Sequence, residues 1–231
     1  MNKNTIIKIQ NLKKEFTDVD PALVIFENTN LEIKQGEKIA IIGSSGSGKS
    51  TLLSLLAGLD KATFGEIYVK DTLINTLTEN QLSDYRNREI AIIFQSFELI
   101  NPFTAFENIR APLDIRGGIS NKEIENTVKT LLAEVGLSER KSSFPNTLSG
   151  GEKQRVAIAR ALASNTDIIL ADEPTGSLDR TTGDMVLDLL LREVEKRSKT
   201  LIIITHDMKI AEKMDRIFEL KDKNLHEIKR A

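Results

Sequence analysis

The stretch Gly43-Ser44-Ser45-Gly46-Ser47-Gly48-Lys49-Ser50-Thr51 constrains this chain more than any other. It has the form G-x-x-x-x-G-K-[ST], a loop whose successive N–H groups curl inward around a phosphate. Glycine at 43, 46 and 48 permits that curl, because a Cβ would obstruct it. Lys49 can set a compact positive charge against the outer phosphates, and the Ser50 hydroxyl suits a Mg²⁺ ion. The flanks agree. Residues 38–42 (Lys-Ile-Ala-Ile-Ile) read as a short buried strand, and 51–57 as a helix whose N-terminus adds its dipole to the site. A chance Gly/Ser turn would not require that context. Strand, phosphate loop and helix in this order imply an α/β fold.

Composition narrows what the loop can serve. With 231 residues, 40% hydrophobic and 29% charged, the chain can bury a full core and reads as an ordinary globular protein. A net charge of −2 without a basic block disfavours nucleic acid as the main ligand. The absence of Cys excludes disulfides and thiolate metal sites and fits a reducing compartment. The N-terminus, Met1-Asn2-Lys3-Asn4-Thr5-Ile6-Ile7, lacks the apolar run of a secretory signal. The most apolar runs are strand-sized, well short of the ~20 residues of a membrane helix. A cytosolic chain is expected, one that would borrow any membrane part from a partner.

Residues 5–10 and 23–33 read as antiparallel strands around a polar turn at 18–21, and 64–69 as another strand. Residues 79–87 suggest a short helix and 89–94 a buried strand. From 97 to 165 no convincing strand occurs. Ser120 and Glu123 form a capping box, Ile124, Val128, Leu131, Leu132 and Val135 follow at helical spacing, and Gly136 is placed to end the helix. Alternation resumes with strands at 168–171, 201–204 and 216–220 and helices at 184–197 and 209–214. The expectation is one α/β domain over 1–231 with a mainly parallel sheet. Residues 1–95 and 166–231 would form a nucleotide-binding core with an N-terminal antiparallel β part, and 96–165 an inserted α-helical subdomain.

Other segments carry chemistry. Asp172-Glu173 ends an apolar strand, where one carboxylate can hold a metal and the other orient water, although an acidic pair can also simply cap a helix. Leu148-Ser149-Gly150-Gly151-Glu152-Lys153-Gln154 opens a helix, and Ser149 with Glu152 forms a capping box. Two consecutive glycines cost a helix roughly 1 kcal/mol each. What they provide is unobstructed approach of an anion to the helix end. His206 and Gln95 are each a polar residue at the end of a strand, weak signals alone.

In these motifs and their order the chain resembles the ATP-binding subunits of ABC transporters, a P-loop NTPase family, over nearly its whole length. Residues 43–51 correspond to Walker A, Gln95 to the Q-loop and 148–154 to the signature. Residues 168–172 with Glu173 correspond to Walker B, Ser177-Leu178-Asp179 to the D-loop and His206 to the switch histidine. Residues 94–105 and 171–176 look like the branch of lipoprotein-releasing, macrolide-exporting, cell-division and antimicrobial-peptide-resistance ATPases.

The resemblance implies an ATP-sandwich homodimer. The 43–51 loop of one copy would face Ser149, Gly150, Gly151 and Glu152 of the other, and Asp179 would link the protomers. Lys49 would neutralise the outer phosphates, while Ser50, Asp172 and Gln95 would hold Mg²⁺. Glu173 would polarise the attacking water, and His206 would contact the γ-phosphate. The family usually stacks adenine on a tyrosine. Phe16 stands at that position, and its ring retains a π-face. An integral membrane permease is the implied partner, received by an apolar groove around 95–105. That would place the chain in the cytoplasm, peripheral on the inner face of the cell membrane and touching it only through the permease. Two other readings remain open: an ATP-dependent regulatory or scaffold role without cargo, and a soluble ABC-type ATPase acting on DNA or ribosomes. No long coiled coil separates Lys49 from Asp172, and the chain has one phosphate loop, both against the soluble reading.

Overall fold

The computed structural model describes residues 5–17 and 20–228. Part of the expected turn at 18–21 (Asp18 and Val19) and the N-terminal residues 1–4 lie outside that range. The chain divides into two compact units, residues 1–86 with 199–231, and residues 87–198.

The first unit holds two sets of strands. β1 (Thr5–Phe16) pairs antiparallel with β2 (Leu23–Lys34) and β4 (Phe64–Val69), and β5 (Thr72–Leu73) extends β4. β3 (Lys38–Ile42) pairs in parallel with β8 (Thr200–Ile204) on one side and β9 (Arg216–Lys221) on the other. β10 (Asn224–Ile228) closes a hairpin on β9. β3 and β8 are nearly continuous Ile, Leu and Ala, as strands buried on both faces must be. The two sets are joined where Glu27 N–H donates to Lys223 O at 3.2 Å and Thr29 Oγ1 donates to Asn224 Oδ1 at 3.0 Å.

α1 (Lys49–Leu56) is only 8 residues long, so its stability must come from anchoring. Leu52, Leu55 and Leu56 bury one face. At its C-terminal end the Tyr85 hydroxyl donates to Leu56 O at 2.6 Å and Arg86 Nη1 donates to Gly58 O at 2.9 Å. Both side chains come from α2 (Glu79–Glu89). A cation placed there also complements the helix dipole.

The second unit contains β6 (Ile90–Ile93) parallel to β7 (Ile168–Asp172), with α3 (Ala105–Arg116), α4 (Asn121–Glu134), α5 (Gly150–Ala163) and α6 (Arg180–Lys196). α3, α4 and α5 each begin with a reciprocal capping box: Thr104 with Glu107, Ser120 with Glu123, Ser149 with Glu152. Glu134 at the end of α4 pairs with Lys196, the last residue of α6, and with Arg197 just after it at 2.7 and 2.6 Å. The loop before α3 is organised by Asn108, which is fully buried. Its Oδ1 accepts from Ile100 N at 2.8 Å, and its Nδ2 lies 3.0–3.2 Å from the carbonyls of Ile100, Phe103 and Thr104.

α3 has no counterpart in the sequence reading, because Pro112 interrupts its middle. α6 begins earlier than the expected 184, since Asp179 caps it. Gly136 ends α4 at φ +69°, as its position suggests. Asn108→Ala removes bonds to several part-buried backbone groups at once. It should lower unfolding stability by about 1–3 kcal/mol, read as a reduced urea midpoint. An unchanged midpoint would show that the 100–104 backbone does not depend on Asn108.

Candidate functional site

In the first unit the phosphate loop leaves the C-terminal end of β3 and turns into α1. Gly48 caps α1 at φ +104°, and a Cβ there would run into Ile25 Cγ2. Conformation and packing therefore both require glycine. A Cβ on Gly43 would come within 2.9 Å of Leu220 O and of Ser47 Oγ. Lys49 is 7% exposed, and its ammonium donates to Gly43 O at 2.9 Å and Ser44 O at 2.8 Å. Burial of that charge is tolerable because the loop's own carbonyls solvate it. Two of its three N–H donors are thus used within the loop. Ser47 Oγ is sealed from solvent without a hydrogen-bond partner, a polar atom the loop alone leaves unsatisfied. Beside the loop lies a cleft of ≈ 510 Å³ lined by Ser44, Gly46 and Ser47 together with Leu23, Leu220 and Lys223. A glycine-bordered cavity, a buried cation and an orphan hydroxyl fit an anionic ligand.

β8 runs beside β3, Ile41 opposite Ile204, so His206 emerges at the same sheet end as the loop. Its neighbours are fixed: Thr205 N donates to Ile41 O at 3.2 Å, and Thr205 Oγ1 accepts from Asp207 N at 3.0 Å. His206 itself is exposed. Phe16 ends β1 opposite Leu23, which lines the cleft. Lys14 Nζ lies 4.5 Å from the ring centroid of Phe16 while bonding Asp60 Oδ1 at 2.7 Å.

In the second unit β6 and β7 end together, Ile93 opposite Ala171, which brings Gln95 beside Asp172 and Glu173. Gly176 marks how closely they gather. A Cβ there would lie 2.8 Å from Gln95 Nε2 and 3.1 Å from Glu173 Oε2. Glu173 is held at φ +43°, a left-handed conformation uncommon for a non-glycine residue and frequent at functional sites. Ser177 Oγ donates to Gln95 O at 2.9 Å and so fixes the start of the following segment. Asp179 caps α6, its Oδ1 accepting from Thr182 N at 3.0 Å. Hydrogen bonding by Thr182, side chain first, holds its carboxyl below the usual Asp range.

Ser149 caps α5 and is exposed. Gly151 is buried, and a Cβ on it would strike Thr182 Cγ2. Packing against α6 is thus a second reason for that glycine, beyond the anion approach expected from sequence. Glu152 Oε2 accepts from Ser149 N at 2.8 Å.

Residues 26–176 match the family described as ABC transporter. The chain belongs to that family. It is 45% identical over 223 residues to the lipoprotein-releasing system ATP-binding protein LolD of Treponema denticola, spanning 96% of this chain and 98% of the relative. It is 40% identical to the macrolide export ATP-binding/permease protein MacB of Vibrio parahaemolyticus, over 95% of this chain and 33% of that longer protein. A dimeric structure of the ATP-binding cassette MJ0796 of Methanocaldococcus jannaschii, in a post-hydrolysis state bound to ADP and Pi, is similar at a TM-score of 0.89 with 41% identity. That match covers 97% of this chain and 99% of the other.

This ABC subunit is therefore an ATPase of the type that powers membrane complexes. Each unit brings its own share of the expected residues together: the 43–51 loop and His206 in one, Gln95, Asp172 and Glu173 in the other. Sequence reasoning placed Ser177 in the D-loop and Gly176 in the 171–176 pattern but gave neither a role beside Gln95, because that role depends on a distant strand end. Lys49→Ala removes the buried cation of the loop and should weaken ATP binding at least tenfold, about 1.4 kcal/mol, by calorimetry. Wild-type affinity in that variant would detach Lys49 from the phosphates.

Proposed function

We propose that two copies of this subunit bind ATP between them, each phosphate loop facing the Ser149–Gly151 end of the other copy's α5. The observation that carries the reading is a single phosphate loop in a chain that also holds a second, capped and glycine-bearing helix end suited to phosphate. The dimeric form of the related cassette supports it. Ser44, Ser45, Gly46, Ser47 and Gly48 would cradle the phosphates, with Thr51 behind them. The cleft opposite Phe16 would take the nucleoside, with the phenyl ring against adenine. Among the described residues no group of three or more His, Asp or Glu gathers as a metal cage. That suits Mg²⁺ held largely by the nucleotide, with Ser50, Asp172 and Gln95 completing its shell. When bound, the ion would neutralise charge on the outer phosphates.

Glu173, poised by its left-handed backbone beside Gln95, would accept a proton from the attacking water. Lys49 and His206 would hold the terminal phosphoryl group, and Asp179 would lie at the contact between copies. Phosphoryl transfer relies on positioning and charge neutralisation, so a site completed only by closure couples hydrolysis to motion. As in relatives named as ATP-binding parts of larger systems, an integral membrane permease would be the second partner. Among the described residues no helix is long and apolar enough to cross a membrane. Like the ATP-binding parts of those systems, the subunit would work on the cytoplasmic side of the cell membrane and reach it through that permease. The apolar segment after Gln95, with Ile100 and Phe103 exposed at 40% and 38%, is the proposed docking surface.

Glu173→Gln is expected to bind ATP normally while turnover falls by roughly 10²-fold or more, the size of a lost general base. A closed dimer should accumulate in size-exclusion chromatography with ATP. Wild-type turnover would remove Glu173 from the reaction. Replacing Phe97 or Leu99 with a charged residue should leave nucleotide affinity intact and impair assembly with a co-expressed membrane permease. Normal assembly and transport would place the docking surface elsewhere.

A further inference from the structure

Glu152 is the third helical residue of α5, so it sets a carboxylate beside the helix end that the proposed function opens to a phosphate. An acidic group there favours the helix but repels an incoming anion. Both of its oxygens are engaged. Oε2 takes the Ser149 N–H at 2.8 Å, and Oε1 accepts from Arg140 Nε at 2.9 Å. These bonds, led by the Ser149 N–H, hold the Glu152 carboxyl below its usual range, so it stays charged at neutral pH.

Arg140 does not belong to α5. It ends a single helical turn, Ser138–Arg140, whose backbone is fixed on both sides. Arg140 N donates to Leu137 O, and its carbonyl accepts from Ser143 N, both at 2.9 Å. The residues that follow bond to the start of α3, where Ala105 N donates to Ser143 O at 2.8 Å and Phe106 N to Lys141 O at 3.0 Å. A fixed loop thus delivers the guanidinium to Glu152. The Arg140 side chain is 53% exposed, and a pair so open to solvent contributes little to stability. Its consequence is local charge.

We propose that Arg140 is a positioning residue for ATP turnover. It neutralises Glu152 and so leaves the Ser149 hydroxyl and the glycine N–H groups at the start of α5 receptive to the polyphosphate of a nucleotide held by a second copy. Ser149 Oγ accepts from Glu152 N at 3.3 Å, so the hydroxyl and the Glu152 carboxylate sit side by side in one capping box. This inference rests on the two-copy reading above.

The test uses the full chain, following ATPase rate against ATP concentration and ATP-driven dimerisation in the Glu173→Gln background. Arg140→Ala should raise the half-saturating ATP concentration roughly three- to tenfold, as one uncompensated charge near an anion would. Its kcat should change less than its KM, and its Tm by no more than about 4 °C. Arg140→Lys should recover part of the loss. Adding Glu152→Gln to Arg140→Ala should recover most of it, because Gln keeps the capping box without the charge. Wild-type saturation in Arg140→Ala, or a double variant as impaired as the single one, overturns the proposal. Ser149→Asn separates it from its parent reading. Asn still caps the helix but replaces the hydroxyl with a bulkier amide, and it should abolish ATP-driven dimerisation at unchanged Tm. Normal dimerisation there overturns the two-copy reading and this inference together. Loss there beside a wild-type Arg140→Ala titration overturns this inference alone.

Discussion

The ammonium of Lys49, closed onto the carbonyls of Gly43 and Ser44, is the interaction on which the first unit depends. A cation 7% exposed must be solvated by something, and here the loop's own backbone does it. That contact ties the two ends of the loop together in its curled form. The same closure dictates the glycines. Gly48 lies at φ +104° against Ile25, and Gly43 lies against Leu220, so strands from both sets in this unit press on the loop. α1 can be short because Tyr85 and Arg86 secure its far end. Preorganisation at the phosphates is thereby paid for by packing several turns of chain away.

The second unit applies the same logic with different chemistry. Its catalytic candidates lie on the ends of two parallel strands, and what gathers them is the turn through Gly176 and Ser177. The segment after Gln95 is held by side chains rather than by regular structure. Arg160 of α5 donates to Phe97 O and Glu98 O at 3.0 and 2.5 Å, across two residues at φ +65° and +46°. Left-handed backbone in non-glycine residues persists only where its surroundings impose it. Arg160, Ser177 and Asn108 together do so. The proposed docking segment and the α5 helix are therefore bonded to each other directly.

What could be read from the sequence follows from how local each cause is. β3, the phosphate loop, β7 and the box that starts α4 depend on near neighbours, and their patterns were plain. α3 was not, because Pro112 masks its periodicity, although Thr104 and Glu107 at capping-box spacing carried a signal. β10 and β5 are short edge strands whose only cause is the hairpin partner. At the site, residue types and their order single out Lys49, Gln95, Asp172, Glu173 and His206 as candidates. The steric demand on Gly151 comes from Thr182, and the closeness of Gln95 and Glu173 comes from Gly176. Such facts appear only when distant segments meet.

The two ends proposed to receive phosphate differ in a way that bears on reversibility. The loop offers a buried, permanent cation, and charge-assisted bonds from such a group are strong. The start of α5 offers a hydroxyl and backbone N–H groups next to a carboxylate that Arg140 only balances. Neutral donors at an exposed helix end hold an anion weakly by themselves. A nucleotide would thus reside on the loop of one copy and recruit the α5 end of the other only while its terminal phosphate is present. An α5 end with a surplus of positive charge would hold the products as well, and closure would not reverse. On the proposed two-copy reading, the modest electrostatics at Ser149 would allow hydrolysis to open the dimer.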